Sequence, residues 1–224
     1  MIGDWQAITL TAKLALATTF ILMLIAPPIA WWLASTQRRV AVLVEGLIAL
    51  PLVLPPTVLG FYLLLLFSPE NGLGQVWHEW FGVGLAFRFE GLVIASVIYS
   101  LPFAVQPLQA TFERFDRNLL NVAATLGLPP YQQWLSIIMP MCRPGFIAAA
   151  VLSFAHTVGE FGVVLMIGGN IPGETRVVSI ALFDHVESFN LAAAHQLAAW
   201  LLGFSFITLI LVYGLMRRRR WSWR

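Results

Sequence analysis

The chain has 224 residues, is 59% hydrophobic and only 11% charged, and has a mean hydropathy of +0.81. A soluble domain cannot hide that much apolar surface, so the bilayer is its main solvent. The pI is near 9.0, yet ten of the thirteen Lys and Arg sit in clusters beside apolar runs, which marks topology and argues against a nucleic-acid partner. The lone Cys142 excludes an internal disulfide and any multi-cysteine metal site, and no metal ligand set is expected.

Five stretches are predicted to cross about 30 Å of hydrocarbon at roughly 20 residues each. They are 14–33, 40–67, 91–110, 145–168 and 197–216. The first is too long for a signal-peptide core and lacks a positive region before it. Arg38, Arg39, Arg114, Arg117, Arg143, Arg217 to Arg220 and Arg224 fall on one side of these spans, and Lys13, Arg88 and Arg176 on the other. The positive-inside rule then predicts an N-terminus outside and a basic cytoplasmic tail over 217–224, with Trp221 and Trp223 as interfacial anchors. Asp184, His185 and Glu187 predict an amphipathic helix at the outer surface within 176–194, with a short sixth membrane element as the alternative. The expected fold class is all-α, a polytopic membrane helical bundle.

The second span contains LPLVLPPTVLG over 50–60. Pro55 and Pro56 cannot donate to the carbonyls of Pro51 and Leu52, which need other partners in hydrocarbon. A kink facing a protein interface or a wet pathway answers that need, with Thr57 and Gly60 allowing close approach. Pro102 and Pro107 are expected to act similarly in the third span. In the fourth, Ala149, Ser153, His156 and Glu160 follow i, i+4, i+7 and i+11 and are predicted to share a helix face, with Thr157 beside them. Glu160 would lie roughly 22 Å from Gly145 at about 1.5 Å per residue. Such a stripe belongs on a protein interior or a cavity wall.

Between the third and fourth spans, Leu119, Val122, Ala123 and Leu126 are predicted to form one apolar face of a short helix, opposite Asn118, Asn121 and Thr125. Gly127 ends it and Pro129–Pro130 start another, on which Tyr131, Trp134, Leu135 and Ile138 repeat the spacing. Pro140 and Pro144 close this hairpin, 118–139, on the arginine-rich side.

Gly127, Ile137 and Pro140 match the G-x9-I-x-L-P part of the cytoplasmic EAA signature of type I ABC-importer permeases. Ala123 is kept, while Asn121, Val122 and Met139 replace the family's Glu, first Ala and Leu. LPLVLPP over 50–56, GEFG over 159–162 and NIPGETR over 170–176 resemble the molybdate permease subunits, within the molybdate, tungstate and sulfate branch. The resemblance runs from about Trp5 to about Tyr213.

That resemblance implies a type I ABC importer permease fold over 10–216, multi-pass in a bacterial inner membrane. It implies a second copy of the chain, a separate cytoplasmic ABC ATPase dimer carrying ATP and Mg, a periplasmic molybdate-binding protein and surrounding lipid. The chain itself would hold no cofactor and, lacking a G-x-x-x-x-G-K-[ST] loop, would not be an enzyme. Asn118, Asn121, Val122, Ala123, Thr125, Gly127, Tyr131 and Trp134 would couple to the ATPase. Pro55, Pro56, Thr57, Ser96, Ser100, Ser153, His156 and Glu160 would line the path or the subunit interface; interface pairing is favoured for His156 and Glu160, because a carboxylate is a poor lining for an anion route. Ile171, Pro172, Gly173, Glu174, Thr175 and Arg176 would meet the binding protein. Alternatives are the same machine carrying tungstate or sulfate, a proton-coupled secondary transporter using His156 and Glu160, and a membrane scaffold or sensor.

Overall fold

The computed structural model describes residues 2–218, and all regular structure among them is helical. In chain order the helices are α1 (Ile2–Ser35), α2 (Arg39–Val53), α3 (Pro56–Phe67), α4 (Gly72–Phe81), α5 (Phe89–Glu113), α6 (Asn118–Thr125) and α7 (Pro130–Gln133). A π turn (Trp134–Ile138) follows, then α8 (Met139–Met141), α9 (Arg143–Gly159), α10 (Gly162–Gly168), α11 (Val178–Glu187) and α12 (Leu191–Arg218). Trp221, Trp223 and the basic tail from 219 onward lie outside the described residues.

Among the described residues three helices are long and apolar enough to cross a membrane, 4–35, 89–113 and 191–210, and two sharply bent pairs raise this to as many as five. The second predicted span is not one kinked rod: α2 and α3 meet at 113°. The cause is local. A residue preceding proline is pushed out of the helical region, and both Leu54 (ψ 138°) and Pro55 (ψ 133°) are extended there. The fourth predicted span also breaks, after Gly159, where Glu160 is extended before α10 begins. Glu160 therefore leaves the helix face that carries Ala149, Ser153 and His156.

The surface helix expected within 176–194 is α11, but its first turn (Val178 to Ala181) is buried and packs against α1 and α12. The helix α4 lies between the second and third predicted spans, where hydropathy alone marks no element. Its signal was there: Leu73, Val76, Trp77 and Trp80 recur at i, i+3, i+4 and i+7, with Trp77 packed on the core and Trp80 exposed.

The centre of the fold is the packing of α1, α5 and α9 on one another. Their buried stripes are rich in small residues: Ala15, Ala26 and Ala30 on α1, Ala95, Ser96, Ser100 and Ala104 on α5, Gly145, Ala148, Ala149 and Ser153 on α9. Lipid supplies no hydrophobic drive between helices, so association depends on close backbone approach and dispersion, which small side chains permit. Polar ties fasten other helices to this centre. Gln109 Nε2 donates to Glu45 Oε1 at 2.7 Å, joining α5 to α2, and the Val178 N–H donates to Thr11 Oγ1 at 2.9 Å, joining α11 to α1. His185 Nε2 and Asp4 Oδ1 pair at 2.9 Å across α11 and α1.

Gly145 shows how tight the centre is. A Cβ there would stand 2.7 Å from Thr111 Cβ, and Thr111 is held by donating to Pro107 O at 2.7 Å, so it cannot swing aside freely. We expect Gly145→Val to destabilise the folded chain by about 1–3 kcal/mol through overpacking, read as a lower melting temperature in detergent. An unchanged melting temperature would show that α5 and α9 are packed more loosely than this geometry requires.

Candidate functional site

The hairpin between α5 and α9 divides into a fastened base and a bare tip. Gly127 closes α6 at φ +80°, a left-handed turn that suits glycine, with the Leu128 N–H donating to Ala123 O at 3.0 Å. Pro129 is extended and Pro130 opens α7. The four predicted apolar positions do not share one buried face. Ala123 is buried, whereas Leu119, Val122 and Leu126 are exposed, Leu126 by 74%. Asn118, Asn121, Thr125 and Tyr131 are exposed too, so the tip offers an apolar patch edged by amides and hydroxyls.

Trp134 departs from the expectation that it belongs to that tip. It lies half-buried at the base, edge-on to Trp31 of α1 with ring centroids 5.6 Å apart and 5.9 Å from Phe112 of α5. Each such pair contributes about 0.5–1.5 kcal/mol beyond simple burial. Trp134 anchors the hairpin to the bundle.

The breaks at Leu54–Pro55 and Glu160–Phe161 face one cavity of about 590 Å³. Its walls include Pro56, Thr57, Tyr99, His156, Glu160 and Gly162. The two distant motifs touch there, because a Cβ on Gly162 would lie 2.7 Å from Pro56 Cβ and one on Gly60 would lie 2.8 Å from Met166 Cβ. Irregular backbone among apolar spans is tolerated where it is buried in protein or lines a cavity, and both breaks meet that condition. Pro55, Pro56 and Thr57 are exposed on this chain.

The three predicted serines are not on that wall. Ser96, Ser100 and Ser153 are 2%, 1% and 0% exposed, packed inside the bundle. Ser100 connects to the cavity indirectly. Thr157 spends its hydroxyl hydrogen on Ser153 O at 2.9 Å, so at its 3.1 Å contact with Ser100 it accepts. Ser100 then has no hydrogen left for His156, and the 3.0 Å contact must be the His156 Nδ1–H donating to Ser100 Oγ. Phe103 stacks on the imidazole at 3.9 Å between centroids, with Tyr99 at 4.7 Å. The ring is thus fixed in orientation and tautomer, with Nε2 as its remaining acceptor.

Glu160 plays a different part. Its Oε1 accepts from the Val163 N–H at 2.8 Å, and its carbonyl accepts from Ser179 Oγ at 2.6 Å. The carboxylate satisfies backbone freed by the break, while His156 is engaged by Ser100. The predicted stripe is two devices, with Tyr99 between them: its ring lies beside His156 and its hydroxyl bonds the Glu160 carboxylate.

At the far end, 170–176 forms a stapled loop. Thr175 Oγ1 donates to Gly168 O at 2.6 Å and accepts the Ile171 N–H at 3.1 Å. Asn170 Nδ2 reaches Asp184 at 2.8 Å, and Arg176 pairs with the same carboxylate at 2.9 Å. Of the six predicted contact residues, Thr175 and Arg176 therefore build the base. Ile171, Pro172, Gly173 and Glu174 form the exposed tip.

Comparison with known proteins agrees with this architecture. Residues 26–221 match the family model described as the binding-protein-dependent transport system inner membrane component. The chain is 53% identical over 215 residues to the molybdenum transport system permease protein ModB of Azotobacter vinelandii, covering 96% of this chain and 95% of that protein. It is 32% identical over 189 residues to the sulfate transport system permease protein CysT of Escherichia coli, covering 84% and 68%. A solved bacterial alginate ABC transporter, in complex with its alginate pentasaccharide-bound periplasmic protein, superposes with a TM-score of 0.74 at 15% identity, over 95% of this chain and 78% of that one, and so shares its fold. Helices apolar enough to span a bilayer, two broken spans around one cavity and a fastened hairpin with a bare tip are thus found in a chain that belongs to the family of inner-membrane components of binding-protein-dependent transport systems.

Proposed function

We propose that this chain is the membrane subunit of an ATP-driven importer that carries molybdate across the bacterial inner membrane. The observation that carries this reading is 53% identity to a molybdenum permease over almost the full length of both chains. Energy comes from a separate ATPase, and substrate is delivered by a periplasmic binding protein. The arginine distribution supports an N-terminus outside and a cytoplasmic tail.

The ATPase seats on the hairpin tip. Exposed Val122, Leu126 and Tyr131 offer apolar burial, and Asn118, Asn121 and Thr125 set the register, as for a helix laid in a groove. Ala123 and Gly127 shape the turn beneath. A second copy of the chain covers the exposed Pro55, Pro56 and Thr57, so that the cavity at the two breaks becomes part of a central path. Movement of the hairpins tilts rigid helices about that path and alternates its access. A dianion needs weak, dispersed donors to pass without being trapped. Thr57 supplies a hydroxyl on the cavity wall, and Glu160 is engaged by a backbone N–H and by the Tyr99 hydroxyl and thereby withdrawn from the anion. The exposed tip Ile171 to Glu174 faces the binding protein. The relation to a sulfate permease favours sulfate or tungstate as the second reading.

Leu126→Glu tests the docking without touching the fold, because Leu126 is 74% exposed. Gly127→Trp is the poorer test, since a side chain at φ +80° strains the turn itself. We expect Leu126→Glu to weaken association with the ATPase about tenfold or more, a change of about 1.4 kcal/mol per decade, with uptake lost and membrane insertion retained. Undiminished binding and uptake would remove the docking role.

The substrate is tested by reconstituting the subunit with its ATPase and binding protein and measuring ATP hydrolysis stimulated by molybdate, tungstate and sulfate. Molybdate is expected to stimulate most strongly at equal concentration. Stronger stimulation by sulfate would move the chain to the second reading, and uptake that persists without the ATPase and collapses with the proton gradient would overturn both.

A further inference from the structure

Both ends of the cytoplasmic hairpin are fastened to one side chain, Trp31 of α1. At the entry, Arg117 Nη2 donates to Ala34 O at 2.7 Å and to Ser35 Oγ at 3.0 Å, and its guanidinium lies 5.6 Å from the Trp31 ring centroid. At the exit, Trp134 meets the same indole edge-on at 5.6 Å. Phe112 and Phe115, at the end of α5, close on it at 5.3 and 6.2 Å. Any displacement of the hairpin tip therefore reaches Trp31 from two sides.

The other route out of the hairpin is less direct. Its chain passes through α8 into α9 only after turning by 73°. Trp134 itself sits in a π turn, an irregularity that occurs frequently at functional positions.

Just N-terminal of Trp31, α1 is weak. Pro27 and Pro28 carry no N–H, so the carbonyls of Met23 and Leu24 lose their helical donors. A cavity of about 430 Å³ opens against this point, lined by Met23, Leu24, Pro27, Pro28, Trp31 and Trp134 among others. A helix with two ladder bonds missing and free space on one flank can bend there without forcing close-packed atoms apart.

We propose that Trp31 is the positioning residue that passes movement of the hairpin to α1, and that Pro27–Pro28 is the hinge about which the rest of α1 responds. The segment of α1 beyond the hinge packs along both α5 and α9, so a bend at the prolines shifts the whole centre of the bundle. This rests on the docking role given to the hairpin above. It adds that α1 is driven in the transport cycle together with α9.

The test uses the full complex with ATPase and binding protein in proteoliposomes, and compares wild type with Trp31→Leu and Pro28→Leu. Pro28 is exposed, and its replacement restores a donor for Leu24 O, so this variant does not endanger folding. The readouts are ATPase co-purification, ATP hydrolysis and anion taken up per ATP. Both variants are expected to keep the ATPase bound and hydrolysing within about twofold, while uptake per ATP falls by about three- to thirtyfold, the range for residues that carry coupling.

Uptake and hydrolysis falling in parallel would mark Trp31 as merely structural, and unchanged uptake per ATP in Pro28→Leu would overturn the hinge. Leu126→Glu in the same membranes separates the two levels. If it leaves the ATPase bound, the docking role fails; if it releases the ATPase while Trp31→Leu and Pro28→Leu transport normally, only the Trp31 joint fails.

Discussion

The structure depends on one constraint: backbone polar groups within hydrocarbon must find partners inside the protein. Long helices meet it without help, and α1, α5 and α12 do so over most of their length. Where the chain leaves helical geometry, the freed groups must be answered, and the two breaks answer them differently. At Leu54–Pro55 the prolines remove donors, and Pro56, which opens α3, is packed against Gly162 of the other break. At Glu160–Phe161 no proline is involved, and the side chain of Glu160 caps the Val163 N–H while Ser179 bonds its carbonyl. Each break is tolerable because the other lies beside it. That mutual dependence explains why LPLVLPP and GEFG, about a hundred residues apart in the sequence, meet at one cavity.

The hairpin follows a second logic. An exposed apolar tip is normally a liability, because such patches drive association. Here Val122, Leu126, Tyr131 and Leu135 are bare while Ala123, Trp134 and Ile138 are packed. The division holds the tip in a fixed attitude without covering it. A partner that binds it need not spend binding energy on ordering the base, as preorganised recognition requires.

Much of this was legible in the sequence, and the failures have physical causes. Hydropathy located the apolar stretches, because that signal depends only on composition over a window. The Pro55–Pro56 break was legible as a defect but not as a 113° bend, since the prolines force the chain out of the helix without specifying the direction in which α3, packed on α10, leaves. Gly159 and Gly162 were the sequence's one sign of the break at Glu160. Helical spacing from Ala149 to Glu160 is regular, and only the capping of Val163 reveals that Glu160 ends one helix and supports the next. Ser96, Ser100 and Ser153 were assigned to a path because hydroxyls suit an anion, yet small hydroxyls equally suit tight helix contact, and burial decides for the second. Within the hairpin, periodicity grouped Leu119, Val122 and Leu126 with Ala123, although a docking helix needs apolar residues on its outer face as well.

The fixed tautomer of His156 bears on what the cavity can do. A relay of protons through the wall would need a continuous chain of donors and acceptors from His156 to Glu160. The hydrogen bonds instead run from His156 Nδ1 into the α5–α9 contact through Ser100 and Thr157, and end at the carbonyl of Ser153. That carbonyl accepts and has nothing to pass on. Glu160 accepts at the start of α10 and also from the hydroxyl of Tyr99, whose ring stands beside His156 without a hydrogen bond to it. The network thus orients a ring and closes a chain break, and it terminates within the protein. A wall built this way presents one imidazole edge at a fixed position and keeps the Glu160 carboxylate occupied by donors of its own protein, which leaves it less available to hold an anion in transit.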